Sequence, residues 1–216
     1  MSRVRVKICG NTRREDVECA VQAGADAVGF IIGFPSTPRN LDLEQAYSLM
    51  KGLPPFIDRV AVTRQDDPKL LRRIAERLPI DAVQLIGETP YTPEIRRLFR
   101  NTRLIKVVHA EPEGLIQSAS EASKLYDAVL IDSKIKDTPG GTGQVHDWAL
   151  SRKVADTVRP TPIILAGGLN SFNVEDAVKT VKPYAVDVSS GVESAPGVKD
   201  HSEVKRFVEN AKRVRL

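Results

Sequence analysis

Only two cysteines, Cys9 and Cys19, occur in the chain, and neither their number nor their spacing suits a disulfide framework or a zinc site. A reduced, cytoplasmic compartment is the expectation. No apolar run is long enough to cross a bilayer, which excludes a membrane-spanning helix. The opening MSRVRVKICG alternates apolar with basic residues and lacks the apolar core of a signal peptide. Charge of one sign is lacking too: 32 Lys and Arg face 28 Asp and Glu, a net charge of +4. Basic residues fall in stretches of helical period such as KLLRRIAER and EVKRFVENAKRVR, which read as solvated helix faces. A nucleic-acid partner would need a concentrated basic stripe and is not expected. The slight positive bias suits an anionic small substrate. No cluster of His, Asp and Glu has metal-ligand spacing, so no metal is expected. No Ser–His–Asp set can be argued, and KICGNTRRED, with one glycine, lacks the Gly-rich turn of a dinucleotide-binding sheet.

What is present is a regular alternation. Eight short β-branched runs, RVRVKIC, AVGFIIGF, DRVAVT, AVQLIG, RLIKVVHA, AVLIDS, PIILAGG and AVDVSSG, alternate with eight amphipathic stretches. Several of those open on Ser, Thr, Asp or Asn, as helix caps do. Strands of continuous apolar character, each followed by a helix, mean parallel β-structure covered by helices. Eight such units predict an α/β fold, a single-domain (βα)8 TIM barrel over residues 1–216, in preference to an open doubly wound sheet. The tripeptide DAV recurs at 26–28, 81–83 and 127–129, each time where a helix hands over to a strand. It is a weak echo of the unit, not evidence for duplicated halves.

In such barrels chemistry lies at the C-terminal ends of the strands. Strand 1 ends in Cys9-Gly10. Alternation puts Lys7 and Cys9 on one face and Val4, Val6 and Ile8 on the other. Strands 7 and 8 end in LAGGLN, with Gly167 and Gly168, and in DVSSGVE, with Asp187, Ser189, Ser190 and Gly191. Small-residue loops at these two strand ends are the usual phosphate site of the fold; tight turns needing glycine are the other reading. Asp132 ends the apolar run AVLID and emerges at the rim, either as a general acid or as a helix cap. The DTPGGTG that follows, with Gly141, has the glycines of a lid. Arg39, after strand 2, is either solvated or a fork for a carboxylate. His109 is the only histidine at a strand end; His146 and His201 fall at helix starts.

Taken together, KICGNT at 7–12, GADAVGFI at 24–31, STPRN at 36–40, DAVLIDS at 127–133 with GGTG at 140–143, LAGGLN at 165–170 and VDVSSGVE at 186–193 resemble the phosphoribosylanthranilate isomerase family of tryptophan biosynthesis, over nearly the whole chain. The resemblance implies an Amadori rearrangement of an aminoaldose to an aminoketose, with Asp132 as acid, Cys9 as base, phosphate on the loops after strands 7 and 8, Arg39 on the anthranilate carboxylate, and no cofactor. It implies a small phosphorylated substrate, no nucleic-acid or membrane partner, and a monomer or homodimer. The chain departs from the family at QLIG, where Ile86 replaces a histidine, at Val62-Thr63, where the family has Val-Phe, and at Thr37, an insertion-like residue before Pro38-Arg39. Both Ile86 and Thr63 are expected at the rim. A thiol is a weak base until ionised. Lys7 is therefore expected to lie near Cys9, to lower its pKa, and to pair with Asp187 in the neighbouring strand.

Overall fold

The computed structural model describes residues 3–88, 90–132 and 147–216. Among them, eight parallel strands pair in chain order: β1 (Arg5–Ile8), β2 (Ala27–Ile32), β3 (Asp58–Arg64), β4 (Ala82–Ile86), β5 (Arg103–His109), β6 (Ala128–Asp132), β7 (Ile163–Leu165) and β8 (Ala185–Val188). Because β1 also pairs with both β2 and β8, the sheet closes on itself. Helices α1 (Arg14–Gln22), α2 (Leu43–Met50), α3 (Pro68–Arg77), α4 (Pro93–Leu98), α5 (Leu115–Ser123), α6 (Trp148–Thr157), α7 (Val174–Val181) and α8 (His201–Arg213) follow the strands in turn. This is the expected (βα)8 barrel. Aspartates at helix starts explain several of the boundaries. Asp42, Asp67, Asp147 and Asp200 each accept first-turn backbone N–H groups, with Asp42 and Gln45 forming a reciprocal capping box.

Alternation along the strands sorts side chains into two cores. Val6, Ile8, Val28, Phe30, Leu104 and Val108 face the helices and join the larger core. Cys9, Val60, Val62, Ala82, Ile105, Val107, Ala128, Leu130, Ile164, Ala166 and Ala185 fill the barrel interior. Lys7 and Cys9 therefore share the inner face of β1, as the sequence predicts. At the N-terminal end the interior is floored by Ala27, Ala82, Ala128 and Ala185, whose small side chains leave a cavity of about 120 Å³. It lies at the end away from the strand-end loops.

The DAV repeat has a mechanical meaning that composition alone does not reveal. Asp26, Asp81 and Asp127 precede β2, β4 and β6, and each accepts a backbone N–H from the strand before: Val6 at 2.8 Å, Arg59 at 2.9 Å and Leu104 at 2.7 Å. Three carboxylates thus tie β1 to β2, β3 to β4 and β5 to β6 at the N-terminal face. Charge-assisted bonds of this kind contribute more than neutral ones. Before β8 the position is taken by Tyr184, over which Arg5 stacks at 5.5 Å. Asn40–Leu41, which adds to β2, and a hairpin of Glu193–Ala195 with Val198–Lys199 were not expected. Strands of two or three residues are too short to display a period.

Candidate active site

Lys7, on the inner face of β1, points Nζ at both carboxylate oxygens of Asp187 on β8, each at 2.9 Å, and at Gln84 Oε1 on β4, at 3.0 Å. Lys7 and Asp187 are register partners and both are buried. Unpaired, either charge would be costly in the barrel interior; bidentate geometry and the third partner, Gln84, satisfy them. The Asp187 pairing is as expected, and Gln84 is an addition. In the sequence Gln84 shows as a polar residue at an inward position of an apolar strand, at the head of QLIG.

Cys9 stands one layer above, at the mouth. Gly29 on β2 faces it: a Cβ there would lie 2.7 Å from Cys9 Sγ and 3.0 Å from Lys7 Cε. Only the absence of a side chain at Gly29 lets the thiol and the lysine stem occupy that wall. Asn11, fully buried, donates through Nδ2 to Ile8 O at 2.8 Å and Gly29 O at 3.2 Å, clamping the loop after β1 onto β2. Gly10 has φ +72°, and a Cβ on it would meet Ser189 Oγ at 2.7 Å and Arg39 Cδ at 2.9 Å. The CGN turn is therefore shaped by close approach from two other loops.

The electrostatics correct one expectation. Burial pushes the Cys9 thiol up, Lys7 pulls it down, and the Asp187 carboxylate pushes it up again; the net direction is upward. For Lys7 burial acts downward, but Asp187 and Cys9 outweigh it and its pKa is raised. An ammonium already neutralised by a carboxylate has little net field left for a thiol. Lys7 lowers the Cys9 pKa as expected, but burial and Asp187 outweigh it.

Arg39, after β2, reaches the same rim, where its fork is taken by Glu193: Nε to Oε1 at 2.9 Å and Nη2 to Oε2 at 2.5 Å. Glu193 also accepts from Lys199 Nζ at 2.9 Å, and Lys199 Nζ donates to Ser189 O at 3.1 Å. Burial pushes Glu193 up, but Arg39 and Lys199 together hold it below the usual carboxylate range. Glu193 closes the VDVSSGVE motif without being singled out there, and Lys199 lies in no motif. They become site residues only because the unexpected hairpin brings them back over β8. Arg39 keeps Nη1 nearly uncommitted, with one long contact of 3.5 Å to Thr37 Oγ1.

The loops after β7 and β8 interlock. Gly167 and Gly168 have φ +79° and +64°, values that favour glycine. Asn173 Nδ2 donates to Gly168 O at 2.9 Å, drawing the loop toward the start of α7. Ser190–Val192 forms a single 3-10 turn, and a Cβ on Gly191 would lie 1.9 Å from Leu169 O. Backbone of one loop thus packs directly on backbone of the other, with Ser189 and the exposed Ser190 alongside.

Asp132 ends β6, in register with His109 on β5, and its carbonyl accepts from Ala110 N at 2.8 Å. Ala128 and Leu130 face the interior, so Asp132 does as well. Ile86 also packs on the interior cluster, as expected. Thr63 does not reach the rim. It is fully buried on the outer face, 3.4 Å from where a Gly33 Cβ would be. The reason is parity: with Val60 and Val62 inward, Thr63 must point at the helices. Gly141 and the rest of the proposed lid lie outside the described residues.

Comparison with known proteins agrees with this geometry. Residues 6–210 match the family model described as N-(5'phosphoribosyl)anthranilate (PRA) isomerase. An N-(5'-phosphoribosyl)anthranilate isomerase of Halobacterium salinarum is 46% identical over 213 residues, 96% of this chain and 95% of its own. Monomers generated from the dimeric phosphoribosylanthranilate isomerase of Thermotoga maritima superpose with a TM-score of 0.83 at 37% identity, covering 98% of this chain and all (100%) of theirs. A phosphoribosyl anthranilate isomerase in complex with reduced 1-(o-carboxyphenylamino)-1-deoxyribulose 5-phosphate does so at 0.83 and 38%, again covering 98% and 100%. With its closed barrel, its inward Cys9 and its interlocked loops after β7 and β8, the chain belongs to the N-(5'-phosphoribosyl)anthranilate isomerase family.

Proposed function

We propose that Cys9 and Asp132 perform the family's rearrangement in this chain as general base and general acid. The supporting observation is that both emerge inward at one barrel mouth, with Gly29 leaving room for the thiol. Asp132 gives its proton to the ribose ring oxygen of N-(5′-phosphoribosyl)anthranilate. The C1′–O bond breaks as the anthranilate nitrogen forms a Schiff base with C1′. Cys9, as thiolate, then takes the C2′ proton. The resulting enolamine is protonated at C1′ and loses the proton of its 2′-hydroxyl, giving 1-(2-carboxyphenylamino)-1-deoxyribulose 5-phosphate. The protein carries two of these proton transfers, one from Asp132 and one to Cys9; solvent supplies the C1′ proton and takes the hydroxyl proton, and no electron leaves the substrate. The cationic Schiff base lies against the thiol at the step that needs a base, and so favours the thiolate in the complex.

In the same reading, phosphate binds on Gly167, Gly168, Ser189, Ser190 and Gly191, where two loops expose backbone between small side chains. Arg39 holds the anthranilate carboxylate through Nη1 while Glu193 fixes its orientation. Lys7 and Asp187 form the floor, and Gly141 belongs to the loop that covers the substrate. Residues 1–216 act as one catalytic unit in the cytoplasm, the compartment that suits two unpaired cysteines. Among the described residues no helix is long and apolar enough to cross a membrane. A homodimer is the assembly favoured by the dimeric relative.

Assay of purified protein with phosphoribosylanthranilate tests the roles, with light scattering on the same preparation for assembly. Cys9→Ala and Asp132→Asn should each lower kcat by about 10²–10⁴-fold while the reduced product analogue still binds. Activity surviving both substitutions would falsify the assignment.

A further inference from the structure

We infer that His109 is a substrate-binding residue that hydrogen-bonds a ribose hydroxyl beside Asp132; the inference rests on the isomerase reading above. Ile105 and Val107 lie in the interior cluster, so alternation aims His109, the last residue of β5, into the barrel mouth. Its register partner is Asp132, and neighbouring strands run about 4.8 Å apart. The imidazole and the acid therefore belong to one wall. In a closed eight-stranded barrel β5 faces β1, which puts His109 across the mouth from Cys9.

His109 Nδ1 is buried and has no hydrogen-bond partner among the described residues. Native proteins rarely keep such an atom without a purpose. On the neighbouring strand β4 the end residue is the apolar Ile86. The described histidine elsewhere is already employed: His201 Nε2 lies 2.9 Å from Asp16 Oδ1 at the start of α8. His109 has no comparable structural duty.

The surroundings narrow the partner. The β7 and β8 loops are proposed for phosphate and Arg39 for the anthranilate carboxylate. What remains for the β5–β6 wall is the ribose between them. A hydroxyl both donates and accepts, so it satisfies Nδ1 in either tautomer. In this chain an apolar Ile86 on β4 and a polar His109 on β5 then divide that wall between packing and hydrogen bonding.

Imidazole NMR of nitrogen-labelled protein reads this directly. Adding reduced 1-(o-carboxyphenylamino)-1-deoxyribulose 5-phosphate should shift the His109 signals and leave those of His201 in place; inorganic phosphate alone should move neither. His109→Ala and His109→Leu should each raise KM and the analogue Kd about tenfold, the loss expected for one hydrogen bond. His109→Leu should fold with a Tm no lower than wild type, because it removes a buried unpaired nitrogen. His109→Asn, which keeps a polar atom near Nδ1, should recover part of the affinity. An unmoved His109 signal, or wild-type KM and Kd in the Ala and Leu variants, overturns the inference. If the unmodified protein neither turns over phosphoribosylanthranilate nor binds the analogue, the isomerase reading has failed instead.

Discussion

Lys7 and Asp187 neutralise one another, and that sets the behaviour of Cys9. Burial and the Asp187 charge outweigh Lys7, so the thiol is held above its ordinary range in the free protein. Titration of thiolate ultraviolet absorbance, in a Cys19→Ala background, should show Cys9 ionising above the normal thiol range near 8.5. Lys7→Met should push that ionisation further up, since it removes the cation that lowers it most and leaves Asp187 uncompensated. Asp187→Asn should bring it down. An Asp187→Asn titration at or above the wild-type position would contradict this balance. The shared face of Lys7 and Cys9 was legible as simple alternation. The sign of the shift was not, because it depends on a carboxylate 180 residues away along the chain.

At the scale of elements, the phosphate loops depend on one close contact. Gly191 leaves no room for a Cβ against Leu169 O, so Gly191→Ala must separate the loops after β7 and β8. Stability should fall by about 1–3 kcal/mol, the usual cost of overpacking, and the KM for phosphoribosylanthranilate should rise. A variant with wild-type melting and KM would show that the loops are not held by that contact. Glycines at both strand ends are visible in LAGGLN and SSGVE, but which glycine bears a steric demand is not. The hairpin carrying Glu193 and Lys199 was invisible for a similar reason: its strands are shorter than any period. DAV was visible as a repeat, whereas its work as three carboxylate ties between adjacent strands emerged only from the pairing.

Over the whole molecule, partly buried carboxylates govern behaviour in acid. Burial pushes Asp81 up, yet bonds from Arg59 hold it below its usual value of 3.8, and Glu193 is likewise held below 4.5 by Arg39 and Lys199. A lowered folded-state pKa means that the stabilisation is fully present above the unfolded value and is lost as pH falls through the folded one. Thermal melts should therefore show Tm declining between about pH 5 and pH 3, less steeply in Asp81→Asn. A flat Tm across that window would remove these two carboxylates from the account.

Sequence alone determined the barrel, the inward pairing of Lys7 with Cys9, and the strand ends at which chemistry sits, because each follows from periods of two and 3.6 residues and from short-range punctuation. Parity also fixes Thr63 on the outer face, since Val60 and Val62 point inward. Tertiary structure decided the charge balance around Cys9, the hold of Glu193 on Arg39, the packing of Gly191 on Leu169 and the buried, unpartnered nitrogen of His109. Each of these is set by distances between strands and loops far apart in the chain, and only closure of the barrel brings them within bonding range.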